Sequence, residues 1–416
     1  MCGIIGVTGS PDAARVLLDG LRRLEYRGYD SAGIAVLTDE GLELQRAVGS
    51  VEHLARKPLP RGDSGIGHTR WATHGAPTEE NAHPHVDCAG RIAVIHNGIV
   101  ENYQELREKL QANGHKFTSD TDTEVLAHLI EAHLQGDLLA AVSAALAQVE
   151  GSYAIAVVSA DAPGRIVGAR LRSPLLVGVH PERTFLASDA TALLEHTNKV
   201  VYLEDGDLVE IERGSHTVYD RTGARRDRRV HELTWSIEAA EKGGFEHFML
   251  KEIHEIPDAL HELLRGRVPL LGERFDVEGD LSEERLRTTQ RIMVLACGTS
   301  HYAGMAGRTI VETLAGLPVE VHLASEFRYA PALATENTLA ILVSQSGETA
   351  DTLEALRRAK RLGCKTLAVV NVVGSTLARE ADGVFYLRAG PEISVASTKA
   401  FVNMLGAFYL LGIHLG

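Results

Sequence analysis

The sequence is short of cysteine. Four residues in 416 (Cys2, Cys88, Cys297 and Cys364) are too few and too scattered for a disulfide framework, which points to a reducing, cytoplasmic setting. There is no CxxC pair and no Cys/His cluster with the linear spacing of a zinc site, so no metal ligand is expected from spacing. Positive charge is also scarce: 42 Lys and Arg stand against 56 Asp and Glu, a formal net charge of −14. A general nucleic-acid or anionic-membrane binder carries the opposite sign, so any phosphate ligand has to be held by local geometry. No basic stretch followed by an apolar core opens the chain, so a signal peptide is not expected. No apolar run reaches the ~20 residues that span a bilayer; the longest, 401–415, is broken by Asn403 and His414. Short-period repeats and low-complexity tracts are missing too. These absences argue against secretion, membrane insertion and disorder.

What is present suits a soluble globular chain. Hydrophobic residues make up 44% and charged residues 24%, and at roughly 100–200 residues per domain the length implies two or three domains. Up to about residue 220 the chain carries many short β-rich runs, such as Gly3–Thr8, Gly65–Ala72, Arg91–Ile95 and Ser152–Val158, with helical patterns at Ala13–Arg23 and Thr123–Leu134. Strands follow one another directly, which predicts an α+β domain with antiparallel sheets over 2–220. Five arginines crowd into Arg221–Arg229, read as a solvated turn within a linker over 221–250. Beyond it the rhythm becomes strand–helix–strand, with apolar strands at Ile292–Ala296, Val319–Leu323, Leu339–Val343, Thr366–Val370 and Val384–Leu387. That pattern predicts a doubly wound α/β domain over 251–416, its parallel sheet covered on both faces.

Cys2 directly follows the initiator Met. Removal of that Met leaves an N-terminal cysteine, in which the thiol attacks and the α-amine, with a pKa near ~8, takes its proton. Thiolate attack on a carboxamide builds an oxyanion that needs preorganised donors. Asn97-Gly98 offers a side-chain amide and an unobstructed backbone N–H. Arg70 suits a substrate carboxylate and Asp122 an ammonium. Each also has a plain structural role open to it: a surface ion pair for Arg70, a helix N-cap for Asp122, a hairpin turn for Asn97-Gly98.

The segments Met1-Cys2-Gly3-Ile4-Ile5-Gly6 and Leu24-Glu25-Tyr26-Arg27-Gly28-Tyr29-Asp30-Ser31-Ala32-Gly33, with those around Arg70, Asn97 and Asp122, resemble the N-terminal-nucleophile (class II) glutaminase domain over about 2–218. The resemblance implies a four-layer α-β-β-α sandwich that hydrolyses glutamine to glutamate and ammonia. It implies Cys2 as nucleophile, Asn97 and Gly98 as the oxyanion hole, and Arg70 and Asp122 as the glutamine clamps. Trp71, Thr73 and His74 would lie on a loop closing over glutamine, with Trp71 gating ammonia.

In the second half, two strand-to-helix junctions share one chemistry: Cys297-Gly298-Thr299-Ser300 after Ile292–Ala296, and Ser344-Gln345-Ser346-Gly347-Glu348-Thr349 after Leu339–Val343. Such turns present free backbone N–H groups, and hydroxyls add donors, so together they can cradle a phosphate without a lysine. Simple N-capping by Ser and Thr is the plainer reading. With Val395-Ala396-Ser397-Thr398-Lys399-Ala400-Phe401, these motifs resemble the sugar isomerase (SIS) domain, a flavodoxin-like phosphosugar-binding fold. An SIS domain behind a class II glutaminase domain is similar to the glutamine–fructose-6-phosphate aminotransferase family. That resemblance implies transfer of glutamine's amide nitrogen to fructose 6-phosphate, giving glucosamine 6-phosphate with no metal or organic cofactor, in a cytoplasmic homodimer that binds neither nucleic acid nor membrane. Thr299, Ser300, Ser344, Gln345, Ser346 and Thr349 would hold the phosphosugar, and Val395 and Ala396 would line its pocket.

The family carries a second SIS domain and a tail that supply a glutamate, a Schiff-base lysine and a histidine from a partner subunit. Those positions are not among these 416 residues, and Lys399 sits in a different motif. A chain working only as a glutaminase, with an SIS domain that senses a phosphosugar, is the alternative expectation; a third is a non-catalytic phosphosugar-binding protein. Neither a Ser-Gly-Gly-x-Asp-Ser pyrophosphatase loop nor an acidic phosphoribosyl-pyrophosphate loop is present, which argues against asparagine synthetase and amidophosphoribosyltransferase.

Overall fold

Alternate residues of the first strand face opposite ways, and that alternation sets the layers. Ile5 and Val7 pack with Leu17 and Leu21 of the helix Ala13–Leu24, whereas Ile4 packs with Ile66, Ile95 and Ile166. Likewise Ala93 and Ile95 point inward, while Ile92 and Val94 meet Leu126, Leu129 and Ile130 of the helix Glu124–His133. Each sheet therefore has a helix-covered face and a sheet-covered face, and central strands such as Gly3–Thr8 read as apolar throughout rather than as alternating. The coordinates, a computed structural model, describe residues 2–25, 28–71, 75–233, 244–268, 275–329 and 336–416. They divide into two units, Met1–Ile237 and Glu238–Gly416.

Among the described residues the first unit holds two antiparallel sheets. One runs, in spatial order, Val230–Glu232, Lys199–Tyr202, Leu176–Val179, Thr184–Ala187, Gly3–Thr8, Ser64–Arg70, Ser31–Thr38 and Gly41–Val48. The other runs Arg225–Arg226, Ser215–Tyr219, Leu208–Glu212, Ile166–Leu171, Gly151–Ser159, Ile92–Val100 and His85–Val86. With helices outside both, the unit is a four-layer α-β-β-α sandwich. Two local readings change. The strand after Arg91 continues to Val100, so Asn97 and Gly98 lie within it, paired with Ala154 and Tyr153, and make no hairpin turn. The arginine-rich stretch is exposed apart from the half-buried Arg228, as a solvated segment should be, but it is not all turn. Arg225 and Arg226 form an edge strand, and Arg228 bonds the buried Asp207 (2.7 Å) and Glu204 (2.7 Å).

The second unit is built on one sheet in the order Glu278–Gly279, Gly383–Tyr386, Lys365–Val370, Thr338–Ser344, Arg291–Ala296 and Val319–Leu323. It is parallel except for its first, antiparallel edge strand. Ile292 and Val294 face one core and Met293 and Leu295 the other, so both faces are buried, as parallel sheets require. The apolar run near residue 401 becomes the helix Lys399–Leu415, packed on the helices Gly298–Ala315 and Ile256–Leu264. No described helix is long and apolar enough to cross a membrane.

Candidate active site

Cys2 precedes the strand Gly3–Thr8, whose Gly3 is paired with Thr69, so Cys2 stands level with Arg70 and Trp71 at the end of the neighbouring strand. The Trp71 N–H donates to Cys2 Sγ (3.3 Å). Burial pushes the Cys2 thiol up from its ordinary value; the Trp71 N–H and the Arg70 charge oppose this without cancelling it. Cys2 is thus held as a neutral thiol that needs a base. Arg70 is buried, donates to the carbonyls of Ala76 (3.3 Å) and Gly75 (3.3 Å), and lies within the electrostatic reach of Cys2, Asp122 and Asp30. The Trp71 ring stands edge-on to Tyr29 at 5.5 Å. Thr73 and His74 lie outside the described residues.

Asn97 Nδ2 donates to the Cys2 carbonyl (2.9 Å), which brings the carboxamide to the nucleophile. Its Oδ1 is 3.0 Å from His68 Nε2, which also approaches the His96 carbonyl (3.1 Å). Both neighbours are acceptors, so His68 carries its proton on Nε2 and donates. Burial holds its pKa down to about 3, so the ring stays neutral and fixes which way the Asn97 amide points. Gly98 adopts φ +142, and a Cβ there would stand 2.0 Å from the Ser152 carbonyl oxygen. Only glycine fits that backbone.

Asp122 does not cap the following helix. Its Oδ2 accepts from the Val100 N–H (2.8 Å), which ties it to the strand carrying Asn97. The turn before it is clamped by Glu124, which accepts from the Thr118 (2.7 Å) and Ser119 (2.7 Å) N–H groups. His96 bonds Thr123 Oγ1 (2.9 Å), and His85 bonds Thr121 Oγ1 (3.0 Å). The structure therefore brings Cys2, Arg70, Asn97, Gly98 and Asp122 into one place. The supporting histidines at 68, 85 and 96 escape a reading of the sequence. Their concentration around the Arg70 and Asn97 segments was the available signal.

In the second unit, Arg291–Ala296 and Thr338–Ser344 are neighbouring parallel strands, Ala296 opposite Val343, so their two turns open on the same sheet edge. Ser344 Oγ accepts from the Gly347 N–H (3.0 Å) and lies 3.3 Å from Thr349 Oγ1; Ser346 Oγ accepts from the Glu348 N–H (3.2 Å). Gly347 has φ +66, and a Cβ there would meet Ser375 Oγ at 2.1 Å. Thr349 occupies the N-cap position of the helix Ala350–Arg361 without a side-chain cap bond, so simple capping does not explain its hydroxyl. Thr299 and Ser300 open the helix Gly298–Ala315 and are half-buried, as are Gln345, Ser346 and Thr349. The cluster is rich in donors and has no lysine in its turns, a fit for an anion.

Val395 and Ala396 are exposed on the loop before the helix Lys399–Leu415. That loop is held by two carboxylates not picked out from sequence. Glu252 accepts from the N–H groups of Ile393 (2.6 Å) and Ser394 (3.0 Å) and from Thr398 Oγ1 (3.1 Å). Glu392 accepts from the N–H groups of Thr398 (2.8 Å) and Ala400 (3.0 Å). Asn371 links the loop's start to the anion turn: its N–H donates to the Gln345 carbonyl (3.1 Å) and its Nδ2 to that of Gly390 (2.6 Å). Lys399 is buried in an ion pair with Glu255 (2.7 Å).

Cys2 gathered with Arg70, Asn97 and Asp122 in an N-terminal sandwich, followed by donor-rich turns on one edge of an α/β unit, is the arrangement of a glutamine amidotransferase domain joined to an SIS domain. Family models agree: a glutamine amidotransferase domain matches residues 68–195 and an SIS domain residues 285–414. The chain is 54% identical over 420 residues to "Glutamine--fructose-6-phosphate aminotransferase [isomerizing]" of Thermus thermophilus and 48% over 418 residues to that of Clostridium tetani. Both alignments cover 100% of this chain and 69% of the relative. The counterpart in Methanothermobacter thermautotrophicus is 50% identical over 423 residues, covering 100% of this chain and 70% of the relative. The chain belongs to the glutamine–fructose-6-phosphate aminotransferase family.

Proposed function

We propose that this protein hydrolyses glutamine at Cys2 and delivers the ammonia to fructose 6-phosphate, yielding glutamate and glucosamine 6-phosphate. The observation that carries the reading is the convergence of Cys2 with Arg70, Asn97, Gly98 and Asp122. Loss of Met1 frees the Cys2 α-amine. Glutamine binds with its carboxylate on Arg70 and its ammonium on Asp122. The α-amine takes the Sγ proton, directly or through a water, as sulfur bonds to the carboxamide carbon. The resulting oxyanion is met by Asn97 Nδ2–H and the Gly98 N–H. As the C–N bond breaks, the α-ammonium returns the proton to the departing nitrogen and ammonia leaves. Water then adds to the thioester, passing its proton by the same route, and glutamate departs as the thiol re-forms.

In the second unit the phosphate of fructose 6-phosphate is held by Thr299, Ser300, Ser344, Gln345, Ser346 and Thr349, with Val395 and Ala396 against the sugar. Ammonia adds to the C2 carbonyl and water leaves; the hydrogen shift from C1 to C2 is the part of the reaction that the family resemblance gives to the glutamate and lysine these 416 residues do not include. Ammonia that met bulk water would be protonated and lose its nucleophilicity. Sugar binding is therefore expected to stimulate hydrolysis, with closure around Trp71. The same reading makes the protein a cytoplasmic homodimer with no nucleic-acid or membrane partner. Glutamate release, measured with and without fructose 6-phosphate, tests it. Release that is abolished in Cys2→Ala and stimulated by the sugar supports the reading; release unaffected by either change refutes it.

A further inference from the structure

Four residues from three separate segments meet on the helix-covered side of the second sheet of the sandwich. Cys88 lies in the turn between His85–Val86 and Ile92–Val100, and His115 follows the helix Tyr103–Ala112. His128 and Glu131 stand at i and i+3, on one face of the helix Glu124–His133. One donor atom from each (Cys88 Sγ, His115 Nδ1, His128 Nδ1 and a Glu131 carboxylate oxygen) falls within 4.8 Å of the other three. Sγ is 3.7 Å from His115 Nδ1 and 3.5 Å from His128 Nδ1. Glu131 Oε2 is 2.8 Å and 3.2 Å from the same two nitrogens.

Those separations match a tetrahedron. With Zn–S about 2.3 Å and Zn–N or Zn–O about 2.0–2.1 Å, tetrahedral angles put sulfur about 3.6 Å from each nitrogen and nitrogen about 3.3 Å from oxygen. Only the His115–Glu131 pair is tighter, at hydrogen-bond length. His128 is buried, and its far nitrogen, Nε2, has no hydrogen-bond partner but faces Glu124 Oε1 at 3.8 Å. A carboxylate behind a ligating imidazole is the usual outer support of a zinc histidine. Cys88 is exposed and leaves a path for entry. We infer that Cys88, His115, His128 and Glu131 form a structural site for a single zinc ion, independent of the glutaminase chemistry. One thiolate, two imidazoles and one carboxylate suit a borderline-soft transition ion and not magnesium or calcium. Binding displaces the Cys88 thiol proton to solvent. The ion would staple the Cys88 turn and the segment around His115 to the helix that carries Glu124, and Glu124 in turn clamps Thr118 and Ser119, just ahead of Asp122.

The test uses the Cys2→Ala chain, so that the reactive thiol cannot ligate. After chelator treatment and dialysis it is loaded with zinc, gel-filtered and assayed for metal, and separately loaded with cobalt. One zinc per chain is expected, with a near-ultraviolet thiolate-to-cobalt band and the intense visible bands of tetrahedral cobalt. Adding Cys88→Ser, conservative at an exposed position, should abolish the near-ultraviolet band and weaken zinc binding on the order of 100-fold. His115→Ala should weaken it similarly, whereas Cys364→Ser should change nothing, with circular dichroism verifying the fold of each. Failure to retain zinc, or retention unchanged in both Cys88→Ser and His115→Ala, would overturn the inference.

Discussion

Replacing His68 with alanine removes the donor that decides which way the Asn97 amide faces. His68 is buried, and its Nε2–H lies 3.0 Å from Asn97 Oδ1 while Asn97 Nδ2 reaches the Cys2 carbonyl at 2.9 Å. Without it, Oδ1 is a buried acceptor with no donor, which costs about 1–3 kcal/mol. The amide loses that much of its preference for presenting N–H to the developing oxyanion. At about 1.4 kcal/mol per factor of ten, kcat should fall about 10- to 100-fold. Complete loss of an oxyanion donor, worth about 100- to 1000-fold, sets the ceiling. KM for glutamine should move little, because Arg70 and Asp122 hold the amino-acid end. The assay is steady-state glutamate release with circular dichroism to verify the fold, and His68→Gln, which restores an N–H donor, should recover part of the rate. A well-folded His68→Ala enzyme with kcat within twofold of the parent would refute the assignment.

Gly98→Ala forces a side chain onto φ +142 and sets Cβ against the Ser152 carbonyl. It should lower glutaminase turnover at least 100-fold and cost about 1–3 kcal/mol of stability, read as a reduced unfolding midpoint. His68 and His85 both have pKa values held down to about 3 by burial. Because the unfolded chain protonates them near pH 6.5, stability should decline as pH falls from about 6.5 towards 3. Denaturant titrations should show this, and His68→Gln and His85→Gln should flatten the decline. Glu252→Ala strips acceptors from the Ile393 and Ser394 N–H groups and from the Thr398 hydroxyl. It should raise the Kd for fructose 6-phosphate about tenfold, a loss of about 1.4 kcal/mol, in calorimetric titration, while leaving sugar-free glutamine hydrolysis within twofold.

The layers were legible because their cause is local. The strands Gly3–Thr8 and Thr338–Ser344 are apolar runs bounded by turn signals, and the change to strand–helix alternation marks the sheet of the second unit. The edge strand Gly41–Val48 was not, because its half-buried, charged residues carry no clean alternation. Candidate site residues were legible where a motif compresses them, as in Ser344–Thr349. What escaped was the support: His68 acts across 29 residues, Glu252 across 141, and Cys88 meets His128 across 40. Such pairings exist only once the chain has folded, and no spacing rule encodes them. The plain turn reading of Asn97-Gly98 fails for a related reason. An Asn-Gly pair ordinarily signals a turn, yet here the strand continues and the glycine serves a close approach.

The central claim is that nitrogen released at Cys2 reaches the sugar. Supplying the purified enzyme with fructose 6-phosphate and glutamine labelled with nitrogen-15 in its amide tests it most directly. The account predicts one labelled glucosamine 6-phosphate per glutamate, and neither product from Cys2→Ala. Label recovered only as free ammonium, or labelled amino sugar still formed by Cys2→Ala, would contradict it.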